Sequence, residues 1–150
     1  MSAEPELPLK GMRILAVEQM QAMPFGTQLL ARMGADVVKV EHPTKGESGR
    51  GSMPTITDAD GSEQGSTFLR NNLAKRSLGL DLKNPKGAEL FKKLIPGYDV
   101  VTENFKPGTM ERLGLGYESL AEIHPGLVYV AVSGFGSLRD TPYGSWPAYA

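Results

Sequence analysis

The stretch RILAVEQMQAMPFGTQLLARMGADVVKVE, residues 13–41, decides the fold. Its first five residues form a short apolar run after Gly11 and read as a buried strand. A polar loop follows at 18–23. Pro24 suits the first turn of a helix, where its missing N–H costs nothing. Phe25, Leu29, Leu30 and Met33 then recur at helical spacing, which predicts that this face packs inward. Gly34 is placed to end the helix. Residues 36–41, DVVKVE, alternate and are rich in valine, as a second strand would be. Strand, helix and strand within roughly 30 residues make one crossover unit, so the strands should be parallel and the connection right-handed.

Working outward, residues 42–64 carry glycines, prolines and few apolar side chains. They read as a long loop, which is either functional, mobile or a floppy insertion. A short helix is expected at 66–72 and a strand at 77–82, where Leu78, Leu80 and Leu82 alternate. The cations Lys75 and Arg76 precede that strand, and such pairs are usually solvated. Asn84 and Pro85 form a cap and first position for the next helix, with Leu90, Phe91, Leu94 and Ile95 as its buried stripe. Residues 99–104 read as a third parallel strand, 106–113 and 117–124 as helices, and 127–133, LVYVAVS, as the strongest strand pattern in the chain. The tail from Ser137 has no periodicity. The pattern as a whole is α/β: a Rossmann-like parallel sheet with helices on both faces.

The 150 residues fit one ordinary domain, and a net charge of −1 gives no reason to expect nucleic acid or an anionic membrane as partner. There is no cysteine, which excludes disulfides, thiolate metal sites and a cysteine nucleophile. His42 and His124 are the only imidazoles and lie far apart in sequence, so no metal site is expected. The first ten residues, MSAEPELPLK, lack the apolar run of a secretory signal and read as a disordered leader, with a domain at 11–150. No stretch approaches the roughly 20 apolar residues of a membrane span, and a cytoplasmic setting is the expectation.

Candidate chemistry gathers where strands end. The segment DVVTENFKPGTMERLGLG, residues 99–116, leaves a strand, turns at Asn104, Phe105 and Lys106, and enters a helix carrying Arg112. One amide and two cations beside a helix N-terminus suit a phosphorylated ligand; solvated charges on an ordinary connection would look the same. The first unit invites a dinucleotide reading, with Glu41 as the ribose-binding acid. Its turn, EQMQAMPFG, lacks the glycines that would let a pyrophosphate approach the backbone, so that reading is set aside. Gln21 and Ala22 still sit at the mouth of the first strand.

Four stretches together resemble the N-terminal half of the family III CoA-transferases, the superfamily of formyl-CoA transferase, carnitine CoA-transferase and α-methylacyl-CoA racemase. They are LKGMRILAVEQMQAMPFGTQLLARMGADVVKVEHP, NNLAKRSLGLDLKNPKG, DVVTENFKPGTMERLGLGYESL and HPGLVYVAVSGFG, in family order and spacing. The resemblance implies the N-terminal part of a larger interlocked fold and a substrate containing coenzyme A. It places Gln21 and Ala22 against CoA at the first strand's mouth, lines the ligand with residues 80–83, including Leu80 and Lys83, and gives Asn104, Phe105 and Lys106 its phosphate region. Arg112 would meet a phosphate nearby. His42 stands where relatives often carry arginine, and residues 146–149 match a further contacting segment.

The reaction implied is transfer of CoA from an acyl-CoA to a carboxylic acid acceptor through an aspartyl anhydride and an enzyme-bound thioester. The nucleophilic aspartate would lie beyond Ala150, and Asp140 is not a candidate, so no catalytic residue is assigned here. Racemases of the superfamily use a histidine where this chain has Tyr149, a poor base with an ordinary pKa of about 10, which favours the transferase. A CoA- or nucleotide-binding module without catalysis is the further alternative. The family also implies an interlocked homodimer.

Overall fold

A computed structural model describes residues 6–136, 141–144 and 146. The first unit is β1 (Arg13–Val17), α1 (Ala22–Arg32) and β2 (Asp36–Glu41). A 3-10 turn at Ser48–Gly51 leads to a small hairpin, β3 (Thr55–Thr57) and β4 (Glu63–Gly65). Then come α2 (Ser66–Asn71), β5 (Arg76–Gly79), α3 (Pro85–Leu94), β6 (Val100–Glu103), α4 (Thr109–Arg112), α5 (Tyr117–Ala121) and β7 (Val128–Ala131). The main sheet has strand order β5-β2-β1-β6-β7, and every pairing in it is parallel. From β1 the chain runs outward through β2 to β5, then returns to the other side of β1 with β6 and β7. The order therefore reverses between β1 and β6, the place where open α/β sheets leave a crevice.

Parallel strands covered on both faces need continuous apolar faces rather than alternation. Val38, Val40, Leu15, Val17 and Val101 face a core made with Phe91, Ile95, Met110, Leu115 and Leu120 from α3, α4, α5 and their connections. Ile14, Ala16 and Val37 pack on the other face against Ala31 of α1 and Ala35. Full burial of a side chain such as Phe91 contributes about 1.5–3 kcal/mol. At the start of α3, Asn84 caps as its sequence suggests, its side-chain oxygen accepting from the Lys86 N–H at 3.0 Å, with Pro85 in the first position.

Several expectations are corrected. In α1 the face formed by Phe25, Leu29 and Met33 is exposed, at 54, 43 and 44%. The buried face is instead Met23, Pro24, Thr27, Gln28 and Ala31. The reason lies beneath the helix, where the Thr27 hydroxyl donates to the buried Glu18 carboxylate and the Gln28 amide oxygen accepts the Leu73 N–H. In α3, Leu90 points outward, and Phe91 and Ile95 carry the buried stripe. Strand β5 ends at Gly79, although Leu80 still donates its N–H to the Glu41 carbonyl at 2.8 Å. The strongest strand pattern, β7, forms the sheet's edge; Val128, Val130 and Val132 are exposed, and only Tyr129 turns to the core.

Of the alternatives left open for 42–64, a floppy insertion does not describe it: the 3-10 turn and the hairpin pack on each other and on α2. The leader is not loose throughout, because Leu9 donates to the Met33 carbonyl at 3.0 Å and packs beside the α1 core. Residues 1–5, Asp140 and Tyr149 lie outside the described residues.

Candidate functional site

Because all five strands of the main sheet run parallel, the segments that follow them share one edge. In sheet order these are residues 80–83 after β5, 42–46 after β2, 18–22 after β1 and 104–106 after β6. Strands β5 and β6 are three places apart, about 14 Å at the usual interstrand spacing. Lys83 and Lys106 therefore belong to opposite ends of a row, with His42 and Gln21 between them.

The crevice between β1 and β6 is bridged at its mouth. The Asn104 side chain accepts from the Gln19 N–H at 2.8 Å and donates to the Gln19 carbonyl at 2.9 Å. Its amide is thus committed to the opposing loop. Gln21 and Ala22 follow directly at the start of α1 and are exposed, and the Gln21 side chain makes no capping bond. Phe105 packs against the core and donates its N–H to Glu103 at 2.7 Å. Burial holds the Glu103 carboxyl above its ordinary pKa, offset in part by that N–H.

Lys83 and Lys106 are exposed, and among the described residues neither forms an ion pair. Arg112 is also exposed and donates to the Thr109 hydroxyl at 3.0 Å. The helix expected over 106–113 is a single turn, Thr109–Arg112, entered from Gly108 at φ +79°. So short a helix has little dipole to offer, which leaves the cations and backbone N–H groups as the means of holding an anion there.

Beside β2 and β5 lies an open cleft of about 350 Å³, lined among others by His42, Lys45, Arg50, Ser77 and Gly79. The His42 Nδ1 accepts from the Thr44 and Lys45 N–H groups at 3.3 Å each. That leaves Nε2 facing away from these bonds as the ring nitrogen available to a ligand.

Behind this edge sits a buried ionic cluster that the sequence reading did not find. Lys39 is 1% exposed, and its Nζ lies 3.5 Å from Glu47 and 2.9 Å from the Asn72 side chain. Arg50 clasps Glu41 with two bonds, 2.7 and 2.8 Å, while Ser77 donates to the same carboxylate at 2.8 Å. The Arg50 guanidinium also stacks 3.8 Å above Phe68. Glu18 accepts from Lys75 at 2.6 Å and from the Thr27 hydroxyl at 2.8 Å.

Burial pushes the Glu41 carboxyl up, but the bonds from Arg50 and Ser77 outweigh it and hold the group below its usual range. Burial lowers Lys39 despite three surrounding carboxylates, and lowers Lys75 to about 8 against the pull of Glu18. Lys75 is thus not solvated as expected, whereas Arg76 pairs with Asp36 at the surface. One signal was legible: charges inside DVVKVE and after RILAV, in strands buried on both faces, must be paired. Glu47 and Arg50 come from the irregular loop after β2 and Lys75 from a distant segment, and no periodicity marks them as partners.

The fold is a doubly wound parallel α/β sheet whose carboxyl edge gathers Lys83, His42, Gln21 and Lys106 from separate segments. The family model for CoA-transferase family III matches residues 9–150. The chain belongs to CoA-transferase family III. It is 47% identical over 131 residues to a succinyl-CoA:mesaconate CoA-transferase of Haloarcula hispanica, covering 87% of this chain and 33% of that protein. It is 44% identical over 128 residues to a formyl-CoA:oxalate CoA-transferase of Afipia carboxidovorans, covering 85% of this chain and 29% of the relative. The crystal structure of a CAIB/BAIF family protein from Brucella suis superposes with a TM-score of 0.87 at 38% identity, covering 97% of this chain and 38% of that one. The chain thus spans about a third of the length of the relatives it matches. Among the described residues no helix is long and apolar enough to cross a membrane, and no group of metal-ligating side chains gathers.

Proposed function

We propose that this chain is the coenzyme A-binding portion of a transferase that moves CoA from an acyl-CoA donor to a carboxylic acid acceptor. The observation that carries the reading is the row of separate segments, ending in Lys83, His42, Gln21 and Lys106, along one sheet edge. A compact anion would engage one end of such a row. A long ligand with phosphates near one end and a thiol at the other would span it.

In this reading Gln21 and Ala22 meet the ligand at the mouth of β1, Leu80 and Lys83 line it beyond β5, and His42 contacts it from the cleft through Nε2. Phe105 and Lys106 take its phosphates, Arg112 supports them, and Asn104 contributes through its grip on Gln19. Charge-assisted bonds from lysine and arginine to phosphate are about twice as strong as neutral ones, so the cations carry most of the affinity.

The chemistry would be covalent. An aspartate carboxylate attacks the thioester carbonyl and expels CoA thiolate, leaving a mixed anhydride. The thiolate then attacks the aspartyl carbonyl, releasing the donor acid and forming an enzyme thioester, which the acceptor carboxylate opens in the same two steps. That aspartate belongs to the rest of a cytoplasmic, interlocked homodimer, so this chain alone binds CoA without turnover.

Calorimetric titration with CoA, and with NADH as control, tests the reading. Lys106→Ala and Arg112→Ala should each weaken CoA by about 1.5–3 kcal/mol, roughly 10- to 150-fold. Absence of CoA binding, or unchanged affinity in both variants, would return the cations to a solvated role. Acyl transfer by this chain alone would place the nucleophile within it.

A further inference from the structure

The loop that presents Gln21 and Ala22 is held in a conformation it would not choose. Met20 sits at φ +62°, a left-handed backbone that a methionine rarely adopts. Such a residue persists only where its surroundings over-determine it. Here they do. The Glu47 carboxylate accepts the Met20 N–H at 2.9 Å, and Asn71 donates to the Met20 carbonyl at 3.3 Å. One residue earlier, Asn104 holds both backbone groups of Gln19, and Ser48 donates to the Gln19 side chain at 3.2 Å.

Glu47 is the hub of this arrangement. It is buried, and the same oxygen that holds Met20 also accepts the Gly49 N–H at 2.9 Å. Its own N–H donates to Glu41 at 3.1 Å, and Glu41 is clasped by Arg50. Glu41, Arg50 and the His42–Gly46 turn line the cleft beside β2 and β5. A single residue therefore ties that cleft, through its backbone N–H, to the loop at the mouth of β1, through its carboxylate; sequence separates these two parts of the edge by more than twenty residues.

We propose that Glu47 is a positioning residue for ligand binding: by holding the Met20 N–H it fixes the β1–α1 loop and sets Gln21 and Ala22 in register with the cleft. The role rests on the reading of this edge as the CoA site, and Glu47 itself, enclosed behind the loop, acts through Met20 rather than on the ligand. Positioning of this kind enters affinity through the fraction of protein whose loop is already competent. If releasing Met20 left one molecule in ten competent, the apparent Kd would rise about tenfold.

Two variants separate this role from a merely structural one. Glu47→Gln keeps the reach and an oxygen for the Met20 N–H but removes the charge that faces Lys39. Glu47→Asp keeps the charge but withdraws the oxygens by one methylene. Two readouts are taken on the intact chain: CoA affinity by calorimetry, and hydrogen exchange of the Met20 amide by NMR, with thermal melting as control. The expected result is that Glu47→Gln binds CoA within about threefold of the parent and keeps the Met20 amide protected despite a lower melting temperature, while Glu47→Asp loses protection and weakens CoA about tenfold or more.

The reverse order, with aspartate tolerated and glutamine not, would show that charge balance around Lys39 is what matters and would overturn the proposal. So would an unprotected Met20 amide in the parent protein, or equal losses in both variants. If the parent does not bind CoA at all, the ligand assignment fails, and the Met20 exchange rates still decide whether Glu47 holds the loop.

Discussion

Replacing Lys75 by methionine tests the buried cluster most sharply. The Lys75 ammonium lies 2.6 Å from Glu18, 2.8 Å from the Pro24 carbonyl and 3.1 Å from the Asn72 side chain. The two charged side chains are 2% and 0% exposed, so solvent does not screen them. Methionine keeps the apolar stem and removes the charge. Glu18 is then left as a buried carboxylate to which, among the described residues, only the Thr27 hydroxyl donates. Removal of one partner from a buried pair costs about 3–5 kcal/mol, mostly because the other charge is stranded. Glu18→Gln strands Lys75 in the same way, among neutral acceptors.

The double variant removes both charges and leaves a site that Thr27 and the amide satisfy between them. It should therefore be more stable than the two single losses added together predict, with a coupling energy of about 2 kcal/mol or more. Urea denaturation followed by far-ultraviolet circular dichroism, at constant m-value, reads each corner of the cycle. Losses that add to within about 0.5 kcal/mol would mean that the two charges do not sense each other, and the cluster as described would be wrong.

Stability should also climb with pH across the window from about 8 to 10. Lys75 has its folded pKa lowered to about 8 from an ordinary 10.5, so over that range the unfolded chain binds a proton that the folded chain has released. Lys39 acts in the same sense. Above about pH 10 the trend reverses, because burial raises the Tyr129 hydroxyl and the unfolded chain then loses a proton that the folded chain keeps. Urea midpoints across this range check it, and Lys75→Met should flatten the rise; a flat parent profile would refute it. In α3, Gly87→Ala should destabilise, although the same change in an open helix interior gains about 1 kcal/mol. A Cβ there would collide with the Asp81 carbonyl oxygen, a backbone atom that cannot swing aside. Thermal melting decides, and a raised melting temperature would show that the 81–84 turn yields.

The residue pattern alone is enough for the class of fold and for the edge where chemistry gathers. Apolar runs at 13–17, 36–41 and 99–104, separated by capped helices, leave few arrangements other than a parallel sheet, because short-range periodicity and cap chemistry act within a few residues. A parallel sheet in turn sends every strand exit to one side, so Gln21, His42, Lys83 and Asn104 share an edge for topological reasons alone.

The tertiary structure decided which faces are buried and what each polar group touches. Phe25, Leu29 and Met33 read as a core stripe, yet the opposite face is the buried one, where Thr27 meets Glu18 and Gln28 accepts the Leu73 N–H. Lys75 reads as a surface cation, yet it neutralises a carboxylate fifty-seven residues away. The bonds of the Asn104 amide to Gln19, across the mouth of the crevice, have no signature in the sequence either. Such outcomes depend on long-range electrostatic pairing, whose partners are chosen by the packed fold and leave no mark in the spacing of neighbouring residues.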